Sequence, residues 1–325
     1  MGENKERALQ CISCGLCTKH CTFLTKYNLD FSDDERLSEL AYACMLCGKC
    51  TEVCPIGIDG RNRILAMRSE QVGKNSGKLS GYQMLRAEKV NYKFKNYRNG
   101  KKKSVLFPGC NYPSLYPQTT DKLIDIMKQY EIGVVFDCCG KPIAELGLEK
   151  EKNQILYTLN RKLKSEGIEE IIVVCPNCYY YLKDKLEISV VTIYEKLLEL
   201  GLGNKIRLSK EDVIAIFPPC PDRKNKRWMT HIQQYLEQEI KYIEEIQCCG
   251  LGGVAAAEEP EFPEIMSTKL RESTEDTYVY CASCAGSFAR NKVQGVHHFL
   301  NEILGSDEEP DVKHSMLNRM KFKFK

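Results

Sequence analysis

"FDCCGKP" at 136–142 and "QCCGLGG" at 247–253 each set two adjacent cysteines in front of a glycine, with the pairs 110 residues apart. A vicinal pair makes a poor structural disulfide, because its Cα atoms lie only about 3.8 Å apart, nearer than a normal bridge allows. Some other use of paired sulfur is implied, and the rest of the chain says which. Cys110 and Cys220, Cys138 and Cys248, and Cys139 and Cys249 all repeat at 110 residues; Cys175 and Cys281, and Cys178 and Cys284, repeat at 106. Ile193 in "IYEKLLEL" stands 106 residues before Phe299 in "FLNEIL". The chain therefore contains a duplication, or a site with pseudo-two-fold symmetry.

Each repeat alternates short β-branched runs with amphipathic segments. "SVLF" (104–107), "GVVF" (133–136) and "EIIVV" (170–174) read as buried strands. Leu123, Ile124, Met127 and Tyr130 recur at helical spacing after Thr120 and Asp121, as do Leu156, Leu159 and Leu163 ahead of Gly167. The second repeat offers "VIAIF" (213–217), a helix carrying Trp228, Ile232, Tyr235 and Leu236, and "TYVY" (277–280). Strands alternating with helices imply an α/β fold with a small parallel sheet in each repeat. Every cysteine group of a repeat falls at or just past the carboxyl end of an expected strand. Such ends converge on one crevice, so five thiols should meet in each half. Cysteines serving only as small core hydrophobes would show no such registry.

Eighteen cysteines in 325 residues, with no apolar stretch in "MGENKERALQ" to act as a signal peptide, point to metal-bound thiolates in a reducing, cytoplasmic compartment. No apolar run approaches the roughly 20 residues that cross a bilayer. A net charge of +3 is too mild to argue for nucleic acid. The cysteines fall in blocks at 11–54, 110–178 and 220–284. The stretch between the first two blocks reads as a linker, with seven Lys or Arg and no acid from Lys89 to Lys103. Interleaved with Tyr92, Phe94 and Tyr97, it suggests a solvated linker or a strip for an acidic partner more than an RNA contact. The expected domains are an α-helical ferredoxin module at 1–70, a basic linker at 71–103, cysteine-rich repeats at 104–205 and 206–305, and a basic tail at 306–325. That tail, "HSMLNRMKFKFK", reads as a docking arm or a frayed end.

The first block is the most specific signal. "CISCGLCTKHC" (11–21) and "CMLCGKCTEVCP" (44–55) are both C-x2-C-x2-C-x3-C, the two-cluster ferredoxin pattern in which the fourth cysteine reaches the other cluster. One [4Fe–4S] cubane is expected on Cys11, Cys14, Cys17 and Cys54, a second on Cys21, Cys44, Cys47 and Cys50. Thr22 stands where a proline would follow the first motif, without loss of a ligand. Zinc suits C-x2-C pairs but has no need of the third and fourth cysteines. "SDDERLSELAYAC" between the motifs looks helical, with Ser32 as a cap. In the repeats, four thiolates would complete a cubane and five is one too many. Adjacent thiolates suit neighbouring irons of one cluster, or one thiolate bridges two irons of an opened cluster. Gly140 and Gly250 suit a backbone that hugs it.

The pattern C…CCG…CxxC, twice, behind this double motif resembles the cysteine-rich CCG-domain proteins. These include the fused D-type catalytic subunit of heterodisulfide reductase and the iron–sulfur subunits of glycolate, lactate and glycerol-3-phosphate oxidoreductases. "LFPGCNYPSLYP", "CCGLGG" and the CxxC pairs carry the resemblance, which spans about residues 8–305. It implies two non-cubane [4Fe–4S] clusters that split a disulfide. One would sit on Cys110, Cys138, Cys139, Cys175 and Cys178, the other on Cys220, Cys248, Cys249, Cys281 and Cys284. "FPPCPDR" around Cys220 lacks the histidine that many relatives place nearby, whereas all ten cysteines are kept, which favours the reductase. Electrons would pass from the cubanes to these clusters and on to a disulfide or a similar two-electron acceptor.

"GLGNK" and "GLGG" lack the strand–helix context of a flavin motif, so no flavin is expected in this chain and a flavoprotein or other electron donor is the expected partner. A membrane cytochrome is a further candidate, which would hold the chain peripherally at the inner face of the membrane. The alternatives are an electron-relay subunit of a flavin-dependent hydroxy-acid or glycerol-3-phosphate dehydrogenase, and an iron–sulfur sensor or nucleic-acid scaffold. His297 and His298, after the final CxxC, read as structural residues, with proton donation the alternative, and His20 as a solvated neighbour that tunes potential. The glycines and alanines of "CCGLGGVAAA" mark the second half as the more open to a substrate sulfur; close packing against the cluster is the equal alternative.

Overall fold

The structure, a computed structural model, describes residues 11–325. The amino-terminal part is built from short helices, Leu16–Lys19, Thr22–Tyr27, Asp34–Glu39 and Lys49–Val53, closed by the longer helix Gly60–Lys74. No strand forms before residue 104 among the described residues, as expected of a helical ferredoxin module. Ser32 is not the cap: Asp33 Oδ1 accepts from the Arg36 amide at 3.2 Å, while the Ser32 amide and hydroxyl turn back to Asp30. An aspartate one residue on satisfies the orphan amide equally well.

Two four-stranded sheets follow, parallel throughout. β1 (Ser104–Phe107), β2 (Gly133–Val134), β3 (Glu170–Val173) and β4 (Ser189–Thr192) lie in the order β2-β1-β3-β4. β5 (Val213–Phe217), β6 (Glu239–Tyr242), β7 (Thr277–Val279) and β8 (Val296–His298) repeat it as β6-β5-β7-β8. The central strands are largely buried apolar runs beyond their first residues, as a parallel sheet covered on both faces requires. The expected strands are found, and β4, β6 and β8 add the edges that periodicity did not reveal. β2 is shorter than expected, because Phe136 leaves the sheet to pair antiparallel with Asn96, at 2.8 and 2.9 Å. The helix carrying Leu123 begins at Pro117, so Thr120 lies inside it and bonds back to Tyr116 O. The helix of Trp228 tightens into a 3₁₀ turn at Gln233–Tyr235.

The basic segment is not a solvated linker. Lys89, Tyr92, Phe94 and Asn96 are buried, and Tyr92 and Phe94 pack with Cys138. Aromatic side chains that would have to stack on nucleic-acid bases instead face inward. Nor is the tail frayed. Phe322 of the helix Ser315–Phe324 stacks on Phe136 with ring centroids 5.0 Å apart, and its carbonyl accepts from Asn96 Nδ2 at 2.9 Å.

Arg68 ties the three parts together. It is fully buried, and its guanidinium donates to Ala41 O and Cys44 O of the ferredoxin region, to Glu145 O of the first half and to Gly253 O of the second, at 2.7–3.0 Å. The Tyr42 ring lies 4.8 Å from the charge.

Candidate iron–sulfur site

The two ferredoxin motifs fold alike. In each, the residue at the second x position turns left-handed, Ser13 (φ 47°) and Leu46 (φ 51°), and the glycine two residues later does so again, Gly15 (φ 73°) and Gly48 (φ 78°). These turns aim successive cysteines at a common point and start the helices Leu16–Lys19 and Lys49–Val53. Cys11, Cys14, Cys17 and Cys54 line one hollow with Phe31, Pro55 and Ile58. Cys21, Cys44, Cys47 and Cys50 interact as a second group. Both groupings are the ones the sequence suggested. Backbone amides point at sulfur in each, Ile58 N at Cys54 Sγ (3.3 Å) and Leu46 N at Cys44 Sγ (3.4 Å). Cys14 is exposed, whereas in the second group Cys21 is buried and Cys44, Cys47 and Cys50 are half-buried.

In the repeats, Cys110 follows β1, Cys138 and Cys139 follow β2, and Cys175 follows β3 at the start of the helix Pro176–Leu182. Cys220, Cys248, Cys249 and Cys281 occupy the same places after β5, β6 and β7. The CCG turns match too: the Gly140 amide points at Cys138 Sγ at 3.5 Å and the Gly250 amide at Cys248 Sγ at 3.4 Å. The two halves do not form separate crevices. Nine of the ten cysteines, all but Cys138, line a single cavity of about 340 Å³, together with Cys47. Cys138 and Cys110, Cys139 and Cys178, and Cys178 and Cys175 are hydrogen-bonding neighbours in the first half; Cys220 and Cys248, Cys249 and Cys284, and Cys284 and Cys281 are in the second. Cys175 and Cys281 meet between the halves, with Asn177 Nδ2 at 3.6 Å from Cys281 Sγ.

The second half is also joined to the ferredoxin region. Cys248 is a hydrogen-bonding neighbour of Cys47 and approaches Met45 Sδ at 3.2 Å. Gln247 Nε2 lies 3.6 Å from Cys47 Sγ and 3.8 Å from Cys21 Sγ, while its Oε1 accepts from the Thr22 amide at 2.6 Å. The glycines of "CCGLGG" are used for this contact. A Cβ on Gly252 would sit 2.2 Å from Met45 O, and one on Gly253 2.6 Å from Cys44 O. The small residues thus admit a neighbouring backbone, that of the ferredoxin region rather than of a helix on the cluster. Leu251, Gly252 and Gly253 also line the shared cavity, as do Lys141 and Pro142 beside the first CCG.

Two buried cations that sequence reasoning passed over stand beside the sulfurs. Arg223 Nη2 lies 3.4 Å from Cys220 Sγ, donates to Gln247 O, and the guanidinium pairs with Glu52 at 3.6 Å. Burial opposes its charge, but Cys220, Cys47 and Cys248 outweigh that and raise its pKa. In the first half Lys89 plays this part: burial is outweighed by Cys110, Cys138 and Glu88. Arg223 was detectable as the cation three residues after Cys220; nothing in the basic run singled out Lys89.

The donor set fits iron–sulfur clusters. Burial pushes the thiols of Cys21 and Cys50 up and that of Cys44 up to about 11, so thiolates here need metal cations. Cys47 is held down to about 6 by the hydrogen bond from Cys248, against burial and with help from Arg223. Cys139 is held down to about 5 by hydrogen bonds from Cys138 and Cys178. Among the described residues no three His, Cys, Asp or Glu side chains close on one point as around a single ion; the sulfurs surround hollows instead.

His298 is buried between Tyr112 and Tyr116, whose ring centroids lie 5.1 and 5.2 Å away, and neither of its nitrogens has a partner among the described residues. Burial drives its pKa down to about 3. His297 pairs at the surface with Asp276 at 3.3 Å, and His20 is exposed. No helix among the described residues is long and apolar enough to cross a membrane.

No curated protein matches the chain. The family model of a 4Fe-4S dicluster domain matches residues 7–58, and that of a cysteine-rich domain, CCG, matches twice, at 104–183 and 214–289. Those matches cover the sulfur-bearing turns of both halves and the double ferredoxin motif: the chain belongs to the CCG-domain iron–sulfur proteins and is an electron-transfer protein.

Proposed function

We propose that this chain is the electron-transferring and catalytic subunit of a heterodisulfide reductase-like oxidoreductase, acting on a disulfide or a similar two-electron acceptor. Two cubane sets, Cys11, Cys14, Cys17 and Cys54, and Cys21, Cys44, Cys47 and Cys50, would serve the ferredoxin region. Two five-cysteine sets, Cys110, Cys138, Cys139, Cys175 and Cys178, and Cys220, Cys248, Cys249, Cys281 and Cys284, would serve the repeats. Clusters held there would supply one-electron acceptance and release and, in the repeats, a metal face for a substrate sulfur. The chain's own residues do the rest. Arg223 and Lys89 offset thiolate charge in water-poor surroundings, and Gln247 holds the ferredoxin region against the second half.

The observation that carries this reading is the contact between Cys47 and Cys248, which joins the ferredoxin region to the sulfur-lined cavity shared by both repeats. Cys14, exposed beside the exposed Ile12, Leu16 and Ile56, offers the face at which a flavoprotein or other donor subunit would dock.

Anaerobically purified protein should carry about sixteen irons per chain, and saturation near eight would remove clusters from the repeats. Cys47→Ser should cut donor-driven turnover by more than the roughly 10–100-fold of an outer-shell change. It should alter the EPR signal of the second half and spare that of the first. A disulfide analogue that perturbs neither signal would favour the electron-relay role.

A further inference from the structure

The helix Ser315–Phe324 inverts the usual arrangement of a surface helix. Facing the protein are Phe322 and the polar Asn318, whose Nδ2 donates to Ser114 O and Asp311 Oδ2, both at 3.0 Å; Ser315 O accepts from Ser114 Oγ at 3.1 Å. Facing solvent are Met316 (61% exposed), Leu317 (66%), Met320 (39%) and Phe324 (61%). At about 100° per residue these four fall on one stripe about 100° wide. Arg319 and Lys323 border one edge of it, Lys321 and Lys325 the other. From Lys313 to Lys325 there are five Lys or Arg and no acid.

The inner contacts prevent the helix from rolling its apolar stripe inward. Arg319 pairs with Glu88, and Lys321 and Lys325 with Asp121, so the bordering cations also anchor it. The stripe is therefore presented permanently, and its chemistry selects the occupant. Its four side chains offer no hydrogen-bonding group by which a protein partner would set its register, and they fall well short of the roughly 800 Å² per side of a stable protein interface. Asp121 is shared by Lys321 and Lys325, and Glu88 by Arg319 and Lys89, so the edges of the strip keep an excess of positive charge, which suits a headgroup region of negative charge.

We propose that the helix Ser315–Phe324 seats this protein directly on an anionic lipid surface, Met316, Leu317, Met320 and Phe324 entering the headgroup boundary. This contact involves none of the cluster-bearing residues and stands independently of the reaction proposed above. Full-length, cluster-loaded protein should co-sediment with vesicles of equal parts phosphatidylglycerol and phosphatidylcholine. Binding to phosphatidylcholine alone should be weaker by about fivefold for each cation that reaches the surface. Leu317→Ser/Met320→Ser/Phe324→Ser should lower vesicle binding at least about tenfold while keeping the wild-type melting temperature and iron content. As a second reading, Leu317→Trp should shift its emission to the blue on adding the anionic vesicles, which the buried Trp228 does not. Failure of the wild-type protein to bind, binding unchanged in the triple variant, or an unshifted Leu317→Trp emission would overturn the proposal. So would a protein complex that the triple variant dissolves while vesicles leave it intact, since the stripe would then be a protein interface.

Discussion

The two cysteine-rich halves share strand order, CCG turn and CxxC helix, yet each is closed by a different part of the chain. The first is covered by Lys89, Tyr92 and Phe94, and by the helix Ser315–Phe324 through Phe322. The second is covered by the ferredoxin region, through Met45, Cys47 and the Gly252–Gly253 turn. The residue before the CCG shows the divergence at one position. Asp137 accepts from Tyr97 in the basic segment at 2.7 Å, and its counterpart Gln247 reaches Cys21 and Cys47. A duplicated fold has thus been given one half whose CCG turn packs against the ferredoxin backbone and one whose CCG pair is covered by the basic segment, while both open on the shared cavity.

The largest test of that asymmetry is steric. Gly252→Ala drives a methyl into the Met45 carbonyl, a wall of backbone that cannot swing aside, and should cost about 2–3 kcal/mol. Gly140→Ala in the first half meets only the Ile155 side chain and should cost less, although its φ of 84° adds strain. Denaturant midpoints compare the two; equal losses would mean that the Met45 carbonyl is no tighter a wall than the Ile155 side chain.

Next in size is an electrostatic test. Arg223→Met removes a positive charge beside Cys220, which disfavours an added electron and should lower the second-half potential by about 50–100 mV. Lys89→Met should do the same to the first half only. EPR-monitored titration checks both, and a shift common to both signals would erase the distinction between the halves.

The smallest test uses positions 192 and 298, equivalent in the repeat. Thr192 Oγ1 caps its helix by accepting from Glu195 N at 3.1 Å, so Thr192→Ala should cost about 1 kcal/mol at any pH. His298 makes no such cap. With its folded pKa at about 3, below the 6.5 of an exposed histidine, the unfolded chain takes up the proton first. Stability from this residue is then complete above pH 6.5 and falls as pH drops towards 3, by about 1.4 kcal/mol per unit. His298→Phe should flatten that slope, as read from denaturation at pH 7.5 and 5.5.

The cysteines made most of this legible, because they repeat at fixed spacing and their registry with β-branched runs discloses the sheet. The sequence reading failed where long-range packing decides. Edge strands β4, β6 and β8 are short and half-exposed, so their pattern is weak. The run 89–103 carries the composition of a linker, but burial of Lys89 depends on sulfurs more than 20 residues away, which no local pattern records. The glycines after Cys249 looked like room for a ligand, and their tight fit against Met45 depends on a segment some 200 residues earlier.

Arg68 gives the assembly a further property. A single guanidinium satisfies carbonyls from all three parts, so separating any one of them leaves buried donors unmatched, at a cost of roughly 1–3 kcal/mol each. The repeats and the ferredoxin motif have the ancestry of exchangeable modules, but this knot of hydrogen bonds makes them melt together. Unfolding should appear as one cooperative transition, and neither half should survive excision as a stable fragment.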